Sequence, residues 1–214
     1  MTAGSRRRAS PETSGGDRAT GDEGVISRFP VPGPEELPTD LAERIAEVAD
    51  KSGFVPNIFL ALAWRPVEWR AFFAYHDALM DKESAALSKA DRELIVVVTS
   101  AANDCLYCVV AHGAIVRLRG RDPHLADQVA VDWRKAPLSA AQRTMLDVAL
   151  LLAGDPVAVG PEHFTQLASA GFSQDDIWDI GSIAALFALS NRLAHWAAVP
   201  PNEEFYLLGR LPRE

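Results

Sequence analysis

Three times the chain sets a serine directly before an apolar run of helix length and follows it three residues later with an acid or amide: Ser88 with Asp91, Ser139 with Gln142 and Ser173 with Asp176. Such a pair satisfies the free N–H groups at a helix start from both sides, so it fixes where a helix begins. Stops are equally plain. Leu41, Ile45 and Val48 recur at helical spacing after Thr39-Asp40, and Gly53 follows them where a left-handed cap belongs. Pro56 opens a short helix through Leu62, and Pro66 opens another to about Asp81. Helices are predicted over about 89–102, 105–120, 123–132, 140–153, 161–170 and 174–198, the last ended by Pro200-Pro201. Val96-Val97-Val98 alone would suit a strand. Short connections between so many helices predict an all-α array of eight to ten. The Ser88 and Ser173 starts hint at two related halves, although only the capping pattern recurs.

At 214 residues the chain has enough length for a hydrophobic core without disulfide staples, so its two cysteines are not needed as scaffolding. A net charge of −8 argues against sequence-independent nucleic-acid binding, because a phosphate backbone would be repelled. The most apolar stretch, Ile177 to Val199, is interrupted by Asp179, Asn191, Arg192 and His195 and reads as a buried helix, not a membrane span. Residues 1–24 hold no aliphatic side chain larger than alanine after Met1, and a disordered tail is predicted there, with one helical domain over 25–214. Arg6-Arg7-Arg8 precedes no apolar run, which leaves the cytoplasm as the expected location; Arg7-Arg8-Ala9-Ser10 is a short basophilic-kinase pattern of little weight.

The chemistry-bearing segment is Cys105-Leu106-Tyr107-Cys108-Val109-Val110-Ala111-His112. On a helix the two thiols and the imidazole fall at i, i+3 and i+7, on one face. Asp104 is predicted to cap that helix, which places the cysteines at its positive end, where the dipole and His112 would favour thiolate. After one sulfur is oxidised, the other lies close enough to condense with it and close a disulfide before irreversible oxidation. Cys105, nearer the helix start, is expected to be the more exposed, and so the sulfur an outside dithiol attacks. Glu93 stands out as an acid beside Leu94 to Val98. Buried, it could pass protons; in a solvated first turn, it would merely suit the dipole.

These residues resemble the alkylhydroperoxidase AhpD core of the carboxymuconolactone decarboxylase-like superfamily. Gly53-Phe54-Val55-Pro56-Asn57-Ile58-Phe59, Arg65-Pro66, the tyrosine at 107 and Pro201-Asn202-Glu203-Glu204-Phe205-Tyr206 are similar to its peroxidase-related branch, a likeness running from about Phe29 to Gly209. The resemblance implies an AhpD-like helical array, assembled as a trimer or hexamer, that reduces hydrogen peroxide or organic hydroperoxides. It implies Cys108 as the peroxidatic thiol, Cys105 as the resolving one, and Glu93 with His112 as a proton relay through water. A dithiol reductant is implied, lipoylated or thioredoxin-like, and no cofactor. AhpD itself has a histidine where this chain has Tyr107, and a phenol is a poor base at neutral pH.

Other readings follow from the same residues. Two thiolates and His112 could hold zinc, with a fourth ligand from His76, His124, His163 or His195, but none of these forms a second ligand-spaced pair. A lactone-decarboxylase-like lyase would use the acid–base residues without the thiols, and a redox sensor would close the disulfide without turnover. Trp64, Trp69, Trp133, Trp178 and Trp196 read as core or interface anchors, His195 as a core or interface polar group, and Arg117, Arg119, Arg121, Arg134 and Lys135 as a solvated rim.

Overall fold

The computed structural model describes residues 24–210, and among them the chain is built from helices alone. In chain order these are α1 (Thr39–Ser52), α2 (Asn57–Leu62), α3 (Pro66–Met80), α4 (Lys89–Ala102), α5 (Leu106–Gly120), α6 (Leu125–Asp132), α7 (Ala140–Gly154), α8 (Pro161–Ser169), α9 (Gln174–Ala197) and α10 (Glu204–Leu207), with one short 3-10 turn before α1 and two between later helices. All three serine capping boxes close as the spacing requires, with Ser88, Ser139 and Ser173 each accepting from the N–H three residues on. Gly53 ends α1 at φ 84°, a conformation open to it because it has no Cβ. The tail expected over 1–24, with its basic pattern, lies outside the described residues but for Gly24.

Helix α4 is the centre of the molecule. It packs on α5, α9, α7 and α6, and every residue from Arg92 to Ser100 is buried. That resolves the ambiguity of Val96-Val97-Val98. Three β-branched residues disfavour a helix by at most about 0.7 kcal/mol each, whereas burying each aliphatic side chain is worth about 1.5–3 kcal/mol. Tertiary burial therefore decides the conformation. A helix covered on all sides has no polar face, and its few polar residues must find partners inside the protein.

One of them, Arg92, binds α4 to its neighbours. Arg92, 1% exposed, donates to the Leu79 carbonyl at 2.8 Å and to Asp179 of α9 at 2.9 Å, while Lys82 reaches the other Asp179 oxygen at 2.7 Å. Arg117 departs from the solvated rim expected for it. It is 4% exposed and donates to the Leu208 and Phe205 carbonyls, fastening the C-terminal segment across α5. Gly209 continues that strap at φ 76°, where an added Cβ would come within 2.9 Å of the Arg117 Cβ. Arg134 and Lys135 are exposed as expected. Of the tryptophans, Trp69 and Trp133 are core, but Trp178 and Trp196 stand 73% and 68% exposed.

Asp179→Ala leaves the Arg92 guanidinium buried without its carboxylate. The expected loss is about 3–5 kcal/mol of unfolding free energy, read from denaturant midpoints; a loss below about 1 kcal/mol would show that Arg92 does not depend on the pair.

Candidate active site

The turn between α4 and α5 differs from its sequence reading. Asp104 does not cap α5; it sits one residue too early, at φ 53°, with its N–H bound to the Ala101 carbonyl. Asp tolerates that left-handed conformation better than most residues, and the turn needs it to reverse the chain between two packed helices. The N-cap is Cys105, whose N–H donates to the Ser100 carbonyl and whose side chain makes no capping bond. The sulfur is thereby left free for other partners.

The two cysteines are not joined to each other and both are 1% exposed, so Cys105 is no more accessible than Cys108. They lie in an apolar cluster with Ala61, Ala111, Ala114, Ala194, Ala197 and Phe205, where small side chains let α5, α9 and the C-terminal segment close over them. The two sulfurs share one proton and differ sharply in acidity. Cys105 is brought down to about 6, foremost because the Cys108 thiol donates a hydrogen bond to it, against the opposing effect of burial. The Cys108 backbone N–H, the charge of His195 and the Asn191 side chain add to this. Cys108 is held well above the ordinary thiol value, first by that same donated bond, then by burial and by the negative charge on Cys105. The negative charge thus rests on Cys105. His112, expected to join the helix dipole in favouring thiolate at the two cysteines, is paired with Glu93.

His112 Nδ1 lies 2.7 Å from Glu93 Oε2, and Arg119 approaches the other oxygen of Glu93 at 3.3 Å. Glu93 is 2% exposed, so it is buried, but among charged and imidazole partners and not among valines alone. The His112 ring rests edge-on against Phe187 of α9, 4.7 Å between centroids. Cys108 and His112 face a common cavity of about 1360 Å³, whose walls include Phe59, Phe72, Phe73 and Phe187. His76, 3.1 Å from Asp77, lines the same space, and a cavity that sets aromatic walls beside two imidazole–carboxylate pairs and a sulfur can receive a small or an amphipathic molecule and exchange protons with it.

Tyr107 is 5% exposed and its hydroxyl accepts from the Ile58 N–H at 3.3 Å; burial keeps the phenol protonated beyond its ordinary range. It acts as a tie between α2 and α5, not as a base.

Helix α9 supplies residues that the CxxC pattern gave no reason to place here. Ser190 Oγ is 3.9 Å from Cys108 Sγ. Asn191, fully buried, donates to Ser100 Oγ at 2.9 Å, accepts from Asn103 at 2.9 Å and favours the charged form of both sulfurs. His195 lies beside Cys105 and binds the Asn103 carbonyl at 3.0 Å. The available signal was the set of polar residues interrupting the apolar Ile177 to Val199 stretch, since a polar group inside a buried helix must have a partner. Among the described residues no three His, Cys, Asp or Glu side chains are grouped to hold a metal ion, and no helix is long and apolar enough to cross a membrane.

The profile of the Carboxymuconolactone decarboxylase family matches residues 69–131, a span that holds Glu93, both cysteines and His112. The chain is 55% identical to the alkylhydroperoxidase AhpD core, an uncharacterized peroxidase-related protein, from Ralstonia eutropha JMP134, over 88% of this chain and 98% of that one, with a TM-score of 0.85. It is 36% identical to an uncharacterized peroxidase-related protein from Silicibacter sp. TM1040, over 90% and 100% of the two chains, with a TM-score of 0.82. The debrominase Bmp8 shares the fold at 19% identity and a TM-score of 0.68, over 87% and 97%. No curated protein matches. The chain belongs to the peroxidase-related branch of the AhpD-like carboxymuconolactone decarboxylase superfamily.

The shared proton has a measurable signature. Ultraviolet titration is expected to show one thiolate forming near pH 6 and moving upward in Cys108→Ala, which lacks the donated bond; two thiolates at neutral pH would contradict this. Stability should follow. Cys105 is more acidic folded than unfolded, so its contribution grows as pH rises from about 6 to the ordinary thiol value and is lost as pH falls through that window. Cys108, shifted the other way, lowers stability above that value. Unfolding midpoints of the wild type and of Cys105→Ser/Cys108→Ser, compared across pH, read both slopes.

Proposed function

We propose that the protein is a thiol-dependent peroxidase that reduces hydrogen peroxide or organic hydroperoxides through a Cys105/Cys108 dithiol–disulfide cycle. The observation that carries this reading is the meeting, on one cavity, of Cys108 with the His112–Glu93 pair, while a second sulfur that already bears negative charge sits within hydrogen-bond reach of Cys108. Family membership supports the same chemistry at a coarser level.

The steps follow from these positions. Cys108 attacks the terminal peroxide oxygen, the O–O bond breaks, and the sulfur becomes a sulfenic acid as the alcohol or water departs. Its thiol proton has a ready acceptor in the Cys105 thiolate, and the departing oxygen takes a proton from His112, steadied by Glu93 through Nδ1. Cys105 then gives its proton to the leaving hydroxyl and attacks the sulfenic sulfur, which forms the disulfide and releases water. Arg119 keeps a positive charge on the far oxygen of Glu93. A homo-oligomer, trimeric or hexameric, belongs to this reading, and the exposed Trp178 supports a surface covered in the assembly.

Hydroperoxide consumption with dithiothreitol as reductant tests the proposal. Cys108→Ser and Cys105→Ser are expected to abolish turnover. Glu93→Gln and His112→Gln should slow it by about 10²–10⁴-fold, the range of general acid–base assistance. Equal rates in all five proteins would exclude the cycle, and an activity on lactones that survives loss of both cysteines would place the protein among the lyases.

A further inference from the structure

The two cysteines do not share a cavity. Cys108 belongs to the large cavity with His112, whereas Cys105 belongs to a separate one of about 290 Å³, lined by Arg28, Asp104, Leu106, Ala194 and His195 among others. Tyr107 is the single residue common to both linings, and its bond to the Ile58 N–H holds it in place between them. The three-residue spacing of the sulfurs therefore carries the chain from one cavity to the other.

The small cavity has chemistry of its own. His195 Nε2 lies 3.0 Å from the Asn103 carbonyl, and because a carbonyl oxygen only accepts, Nε2 must carry the proton. That leaves Nδ1 as the position at which the ring can take up or release a second proton. Arg28 and Asp104 also line it and bring charges of opposite sign. Leu106, 61% exposed, stands at the surface of this cavity and contributes nothing to the large one.

We infer that the small cavity is the binding site for the reducing dithiol, distinct from the hydroperoxide's, and that His195 is the positioning and proton-handling residue of the reducing half-reaction. This rests on the peroxidase reading for its place in a cycle. It also meets the absence of a histidine at position 107: the imidazole on the Cys105 side comes from α9 instead of from within the CxxC segment. The volume favours a dithiol at the end of a slender chain.

The reaction balances without any further component. One thiol of the reductant loses its proton to His195 Nδ1 and attacks Cys105; the disulfide opens, a mixed disulfide forms, and Cys108 leaves as a thiolate held by Ser190 and Asn191 until it is protonated. The reductant's second thiol then attacks its own sulfur in the mixed disulfide, closes the reductant's ring or bridge, and expels Cys105. Two electrons pass from the reductant to the cysteine pair; the second thiol's proton goes to the Cys108 thiolate, and the first stays on His195 Nδ1. The final leaving group is the more acidic sulfur, and low leaving-group pKa accelerates thiol exchange. A cationic His195 favours that departure.

The two half-reactions are measured separately by stopped flow on the full chain. Protein is oxidised either with a hydroperoxide or with diamide, which forms the disulfide without peroxidase chemistry, and is then mixed with dithiothreitol or with dihydrolipoamide. Leu106→Trp, which narrows the small cavity only, and His195→Gln are expected to slow disulfide reduction tenfold or more with both reductants. Leu106→Trp should leave the hydroperoxide-driven step within twofold of wild type, and His195→Lys, which restores a cation, should recover part of the reduction rate. Reduction that is unchanged in both variants overturns the proposal, as does equal slowing of both half-reactions by Leu106→Trp. A protein that no hydroperoxide oxidises would refute the peroxidase reading, yet its diamide-formed disulfide would still decide whether the small cavity admits the reductant.

Discussion

A carboxylate in the middle of a protein must be paired, and Glu93 is placed there because α4 is covered on every side. Burial of Leu94 to Val98 fixes the helix, and Glu93 is carried inside with it. The cost of desolvating that group is several kcal/mol unless partners compensate it. His112 and Arg119, both from α5, supply them. The same bonds hold α5 in register against α4, and register determines which way Cys105 and Cys108 face. The central packing and the candidate active site are in this sense one arrangement.

The sulfurs obey a related constraint. Two thiolates side by side in an apolar cluster would repel strongly, and sharing one proton removes that repulsion. Charge settles on Cys105 because more donors converge there: the Cys108 thiol, the Cys108 N–H and Asn191, with His195 nearby. Helix polarity alone would not separate two residues a single turn apart. What separates them is the set of side chains that α9 brings to the N-terminus of α5.

Much of this was legible in the residues. Capping boxes, Pro56, Pro66 and Gly53 located the helices to within a residue or two, since capping chemistry is local and a few contiguous side chains carry it. Cys105, Cys108 and His112 were legible as a group for the same reason, and Glu93 as an acid out of place in an apolar run. Asp104 and Arg117 were misjudged. Asp104 looked like a cap because its side chain can serve as one, but the angle between α4 and α5 required a left-handed residue there instead. Arg117 looked solvated because arginine usually is, and only the return of the C-terminal segment across α5 gave it buried carbonyls to bind.

By itself the sequence determined the helical periods, their boundaries, and the thiol–imidazole segment at the start of α5, all of which depend on residues within about two turns of each other. The tertiary structure alone decided which sulfur carries charge, which cavity each one faces, and that Ser190, Asn191 and His195 stand beside them. Those outcomes depend on α9 crossing α5 some 80 to 90 residues farther along the chain, and the electrostatics of a buried group are set by whatever packing brings within a few ångströms of it, not by its neighbours in sequence.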